Sequence, residues 1–142
     1  MKWKCDKDEL SNLEKSELYI NALVVRRDLH SIRDLTNQHL PLLEGIYNNG
    51  RKALADKFSL SPQELRVFIH YQPSFYHLHV HFTHIKAEAG GFQSERALML
   101  SNVIENIRLI PNYYQIVTLE FPLSTASELK REQYGNIPNN SN

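Results

Sequence analysis

Leu65-Arg66-Val67-Phe68-Ile69-His70-Tyr71-Gln72-Pro73-Ser74-Phe75-Tyr76-His77-Leu78-His79-Val80-His81-Phe82-Thr83-His84-Ile85 is the stretch that decides the fold. Its first seven residues, Leu65–Tyr71, are rich in β-formers and predict a strand. Gln72-Pro73-Ser74 is turn chemistry, because Pro lacks a ladder donor and Ser bonds the local backbone. A second strand is expected over Phe75–Ile85, and two strands joined so closely form an antiparallel hairpin. Successive side chains on a strand point to opposite faces. That spacing sets His77, His79 and His81 in a row on one face and Leu78, Val80 and Phe82 on the other. His84 shares the parity of the apolar set and is expected to be structural or at the surface.

Working outward, Leu18–Arg26 predicts a further buried strand. Thr36 is the expected N-cap of a long helix reaching about Lys57, with Leu40, Leu43, Tyr47, Leu54 and Phe58 on its apolar face. Pro41 makes its first turn irregular and Gly50 weakens its middle. Ser61-Pro62-Gln63-Glu64 has the pattern of a capping box that feeds the strand after it. Beyond the hairpin, Lys86–Gln93 is expected to be a loop. Ser94 is expected to cap a second helix through Asn106, with Ala97, Leu100, Ile104 and Ile107 on one face. A last strand over Gln115–Phe121, stopped by Pro122, and a short helix over Ser127–Gln133 follow. The expected division is an N-terminal arm (1–17), one domain (18–134) and a disordered, Asn-rich tail (135–142).

The 142-residue chain is long enough to bury a core in one domain, and its 42% apolar and 23% charged residues are ordinary for a globular protein. Lys+Arg and Asp+Glu balance at 16 each. No positive excess is available for gripping a long nucleic acid by phosphate neutralisation, although a pocket for one short phosphate chain is compatible with it. Cys5 is the single cysteine, so neither an internal disulfide nor a Cys-based zinc site is available. With no signal-like apolar leader and no run of roughly 18 apolar residues, the expectation is an intracellular protein without a membrane partner.

Five of the seven histidines lie between His70 and His84, and three readings of them compete. Residues two apart on a strand are about 6.5 Å apart, so His77 and His81 are separated by roughly 13 Å. Zinc–nitrogen bonds are about 2.0–2.1 Å, so the three cannot share one ion, and a metal pair such as His77/His79 would leave the third idle. The second reading is purely structural, histidines satisfied by hydrogen bonds at a surface. The third is phosphate chemistry, and it carries the most weight. A neutral imidazole can attack phosphorus and hold the group as a phosphoramidate, while its neighbours fix the tautomer, donate to phosphate oxygens or protonate the departing oxygen.

His77-Leu78-His79-Val80-His81-Phe82-Thr83 resembles the motif of the histidine triad superfamily. The longer run His70-Tyr71-Gln72-Pro73-Ser74-Phe75-Tyr76-His77-Leu78-His79-Val80-His81-Phe82 is similar to the C-terminal catalytic domain of the scavenger mRNA decapping enzyme family. Ser31-Ile32-Arg33-Asp34-Leu35, Glu95-Arg96-Ala97 and Val103-Ile104-Glu105-Asn106 agree with that family, and the resemblance runs from about Leu18 to Phe121. It implies a histidine triad-like α+β fold, an antiparallel sheet with two main helices, assembling as a homodimer in the cytoplasm, with the nucleus as a second compartment. It implies no cofactor and no metal. The implied substrate is a short capped RNA fragment or cap dinucleotide, cut at its 5′–5′ triphosphate to release 7-methylguanosine monophosphate. A general dinucleoside polyphosphate or phosphoramidate hydrolase, and a non-catalytic nucleotide-binding remnant, are the alternatives.

By that resemblance His79 is the nucleophile, with His77 and His81 handling phosphates or orienting its ring. The substrate-binding run is His70, Tyr71, Gln72, Pro73, Ser74, Phe75, Tyr76, His77, Leu78, His79, Val80 and His81. Within it Ser74 and the Tyr71 or Tyr76 hydroxyls are the implied donors, with Arg96, near the start of the second helix, and Lys2 as cations. Phe75 replaces the family's usual tyrosine, so that hydroxyl is missing. The family also carries an N-terminal domain that clamps the methylated base. Here Met1-Lys2-Trp3 resembles only the Lys-Trp end of the family's Asp-x-Lys-Trp segment, with Trp3 an anchor for the arm. A chain with the triad but no clamp is expected to keep phosphate chemistry and lose base selectivity. Arg26-Arg27 and the Arg33-Asp34 pair are expected to be surface charges.

Overall fold

β-branched and aromatic residues in alternation make the strands of this chain, and the partners available to each strand set its length. The computed structural model describes residues 12–87 and 96–121. Within them α1 (Asn12–Ser16) precedes β1 (Tyr19–Leu23), and β2 (Leu65–His70), β3 (His79–His84) and β4 (Ala97–Met99) complete a four-stranded sheet. Every pairing is antiparallel and the order is β1-β3-β2-β4, giving the expected α+β architecture. Lys2, Trp3, Cys5, Ser94, Ser127–Gln133, the tail and most of the Lys86–Gln93 loop lie outside the described residues.

β1 is shorter than expected because β3 begins at His79, directly opposite Leu23. Val24 N–H still reaches the Leu78 carbonyl at 3.1 Å, but Val25 is 95% exposed and Arg26 turns to an exposed pair with Asp28. β3 in turn starts later than Phe75 because residues 75–77 bend, His77 N–H bonding the Phe75 carbonyl at 3.1 Å.

The long helix forms as a stack of unequal turns. A 3-10 turn (Asn37–His39) leads to α2 (Leu40–Gly45), a π-helical turn (Ile46–Gly50) and α3 (Arg51–Phe58). At its start the Thr36 N–H donates to His39 Nδ1 at 2.9 Å, and Pro41 sits in the first turn of α2, where its missing N–H costs no hydrogen bond. Gly50 is needed for proximity: a Cβ there would stand 2.6 Å from Phe82 Cζ, so the widened turn seats its backbone against the β3 ring. Leu43 and Leu54 are fully buried, with Leu40, Tyr47 and Phe58 packed around them, as the periodicity required. Ser61-Pro62-Gln63-Glu64 forms its capping box, the Ser61 N–H donating to Glu64 Oε2 at 2.8 Å.

Two expectations fail. Ala97–Met99 is strand rather than helix: it pairs with the free edge of β2, Phe68 opposite Met99 and His70 opposite Ala97, and tertiary pairing overrides helix propensity. The second helix, α4, therefore spans Leu100–Leu109, burying Leu100, Val103, Ile104 and Ile107. Gln115–Phe121 is not a strand. A short helix, α5 (Tyr113–Ile116), carries Tyr114 into the core, where its hydroxyl accepts from Asn106 Nδ2 at 3.0 Å, and irregular chain follows. The helices cover one face of the sheet, against Leu65, Val67, Ile69, Leu78, Val80 and Phe82. No helix among the described residues is long and apolar enough to cross a membrane.

Candidate active site

The register puts the odd residues of β3 on the face opposite the helices. Leu23 faces His79, Asn21 faces His81, and Phe68 flanks His81 from the other side. Strand parity thus gathers His79, His81, His70, Phe68 and Tyr19 into one cluster of rings. The His81 ring stacks on Phe68 (5.1 Å between centroids, 12°) and meets His70 at 4.2 Å and His79 at 4.8 Å.

His79 has a defined tautomer. Its Nδ1 lies 2.7 Å from the His77 carbonyl, and a carbonyl only accepts, so Nδ1 carries the hydrogen. In the neutral ring this leaves the lone pair on Nε2, the form in which imidazole is a nucleophile. Phe75 stacks on the same ring, 4.4 Å between centroids at 8°. The residue substituted for tyrosine contributes its ring face to the site.

His77 therefore acts on His79 through its main chain. Its side chain is tied elsewhere, Nε2 donating to the Val24 carbonyl at 2.6 Å. His81 is 3% exposed, and its Nδ1 meets the Tyr19 hydroxyl at 2.6 Å. Burial first, and then the neighbouring His70, His79 and Arg96, together push His81 down to about 3. It is neutral at any physiological pH. His84 is buried on the helix side beside Glu64 (3.7 Å), its Nδ1 accepting from the Lys86 N–H, which is a structural role.

The segment after β2 forms a wall beside these rings. Ser74, Phe75 and Tyr76 are exposed, and Gln72 and Pro73 half-buried. Arg96 stands at the start of β4 and not of a helix. Its carbonyl accepts from the Tyr71 N–H at 2.9 Å, and its Nη1 lies 3.5 Å from the Gln72 carbonyl, so the cation is held against the wall. Tyr71 turns away: its hydroxyl accepts from Arg33 Nε at 3.2 Å and its ring lies edge-on to Phe121. Leu78 and Val80, part of the run expected to bind substrate, place their side chains in the core and offer only main chain to the site. Lys2 lies outside the described residues. Among the described residues no three His, Cys, Asp or Glu side chains group in metal-holding geometry.

Two contributors escaped the sequence reading. Tyr19 carried no motif, and only the β1–β3 register brings it to His81. Arg33 does not form a surface pair with Asp34. Its Nη1 donates to the Tyr114 and Val117 carbonyls at 2.8 and 2.7 Å, while Asp34 accepts from the His30 and Ser31 N–H groups. The signal for both would have been the β-strand alternation of Tyr19 and the capping pattern Ser31-x-x-Asp34, which occupies the carboxylate and releases the arginine.

Residues 6–97 match the family described as "Scavenger mRNA decapping enzyme C-term binding". The chain belongs to this scavenger decapping family. It is 47% identical over 116 residues to the m7GpppX diphosphatase of Ascaris suum, covering 82% of this chain and 38% of that one. The m7GpppX diphosphatase of Rattus norvegicus is 47% identical over 113 residues (80% and 34%), and that of Homo sapiens 48% over 107 residues (75% and 32%). The chain spans about a third of the length of these curated relatives. Within the scavenger decapping family match lie β1, the β2–β3 hairpin, the ring cluster and Arg96.

Proposed function

We propose that this chain hydrolyses the 5′–5′ triphosphate of a cap dinucleotide or short capped fragment through a nucleotidyl-His79 intermediate. The observation that carries this reading is the contact of His79 Nδ1 with the His77 carbonyl, which in the neutral ring places the hydrogen on Nδ1 and the lone pair on Nε2. The relatives' names, m7GpppX diphosphatase, supply the substrate class.

His79 Nε2 attacks the phosphorus that bears 7-methylguanosine. A P–N bond forms, the P–O bond to the bridging oxygen breaks, and the nucleoside diphosphate departs with that electron pair. The ring then carries a positive charge, which the His77 carbonyl opposes at Nδ1–H. Water attacks the phosphoramidate next: its oxygen joins phosphorus, its proton goes to solvent, and the P–N pair returns to Nε2. The product is 7-methylguanosine monophosphate. His70, Ser74, Tyr76 and Arg96 face the phosphates, with Lys2 as a further cation, and the active species is a homodimer.

His79→Asn tests the nucleophile. Turnover of cap dinucleotide is expected to fall about 10³-fold or more while circular dichroism stays unchanged. A variant that cleaves at near wild-type rate overturns the assignment. Running wild type on methylated and unmethylated cap dinucleotides reads base choice: equal rates point to general dinucleoside polyphosphate hydrolysis. Saturable binding without product would establish a non-catalytic nucleotide binder.

A further inference from the structure

His81 presents a contradiction in its surroundings. Its Nε2 is buried and, among the described residues, has no hydrogen-bond partner. Buried polar atoms are normally satisfied, and one that is not calls for an explanation. The other nitrogen, Nδ1, has a short contact of 2.6 Å to the Tyr19 hydroxyl.

Tyr19 reaches it across the strands. On β1 it is opposite Thr83, so it is the diagonal neighbour of His81, within range of an aromatic side chain. The rings are 5.6 Å apart and tilted by 44°. The Tyr19 side chain is partly exposed at the sheet edge, and burial raises its phenol above the ordinary range, with Asn21 opposing. The phenol therefore keeps its proton at neutral pH. Between a neutral phenol and a neutral imidazole, O–H donating to nitrogen is the arrangement that fits so short a contact.

We infer that Tyr19 is a positioning residue: its hydroxyl donates to His81 Nδ1, forces the hydrogen onto Nε2, and so makes His81 a fixed N–H donor for a phosphate oxygen. The unpartnered Nε2–H is in the ring cluster with His79 and His70, 4.8 and 4.2 Å away between centroids. His81 thus stabilises phosphate charge by hydrogen bonding and is not the acid that protonates the leaving oxygen. The inference depends on the phosphate-transfer reading only for the acceptor that Nε2–H meets. The tautomer itself follows from the Tyr19 contact.

The role differs from that of His79, which gets the opposite tautomer from the His77 carbonyl. Two imidazoles two residues apart are held as mirror forms, one an Nε2 lone pair and the other an Nε2–H. A main-chain acceptor enforces the first, a phenol donor the second.

Nitrogen-15 spectra of the histidine rings test this without requiring turnover. In the wild-type protein His81 is expected in the Nε2–H form throughout pH 5–8. Tyr19→Phe is expected to bring in the Nδ1–H form and to lower kcat about tenfold or more with KM little changed. Inorganic pyrophosphate is expected to shift the wild-type Nε2–H resonance. Nδ1–H as the main wild-type form would overturn the inference, as would a Tyr19→Phe protein with unaltered tautomer and kcat. An unmoved Nε2–H resonance at saturating pyrophosphate would overturn the donor role. A wild-type protein that shows the expected tautomer and pyrophosphate shift but no cap hydrolysis would instead refute the proposed activity alone.

Discussion

A single imidazole changes its chemistry with the atom set against Nδ1. His79 has a carbonyl there and His81 a hydroxyl, and this contact separates the roles proposed for the two rings although both are buried. The burial of His81 also has a thermodynamic consequence. Folded, the ring resists protonation until about pH 3; unfolded, it takes a proton below its usual value of about 6.5. Between those limits the unfolded chain binds more protons, so stability falls as pH drops from about 6.5 towards 3. Replacing His81 by Gln removes that contribution. Urea midpoints at pH 7.5 and 5.0 should therefore separate more widely for wild type than for His81→Gln. Equal separation would show that His81 titrates normally. At this scale the sequence was informative about identity and parity, and uninformative about partners. The alternation of His77, His79 and His81 announced the face they share, whereas Tyr19 on β1 and the Val24 carbonyl just after it come from some fifty residues away or more and could be found only through register.

At the scale of the element, local pattern and tertiary partner disagree in instructive places. The hairpin, the Ser61 capping box and the apolar face of the long helix were legible because each rests on residues a few positions apart. Ala97–Met99 and Gln115–Phe121 were not. The first became strand because β2 had an unpaired edge, and the second became the end of α5 and irregular chain, in which the Val117 carbonyl accepts from Arg33. Arg33 is the tie between these pieces: it holds two carbonyls near α5 and the hydroxyl of Tyr71, the first residue after β2. Arg33→Met keeps much of the apolar stem and removes every donor. Thermal or urea unfolding should show a loss of about 2–4 kcal/mol, from two half-buried carbonyls left unpaired. A loss under 0.5 kcal/mol would return Arg33 to the surface-charge class.

For the whole molecule the decisive property is the two-sidedness of the sheet. Helices seal one side, and the other carries the ring cluster with the 71–77 segment beside it. Exposed Leu23 and Val25 mark the margin of β1 next to an apolar groove of about 610 Å³ that includes Leu42, Ile46 and Phe82. Such a margin is compatible with the proposed homodimer, and sedimentation equilibrium should return twice the chain mass; a single-chain mass at micromolar concentration would refute it.

The tight alternation of β3 partitions the effects of mutation by arithmetic. Changes at residues 79 and 81 are expected to strike the proposed catalysis first, and changes at 78, 80 and 82 to strike folding first. An insertion or deletion of one residue inside the strand exchanges the two sets, driving imidazoles into oil and hydrocarbon into water. Drift along this stretch is thereby confined to substitutions, since any slip in phase loses both properties at once.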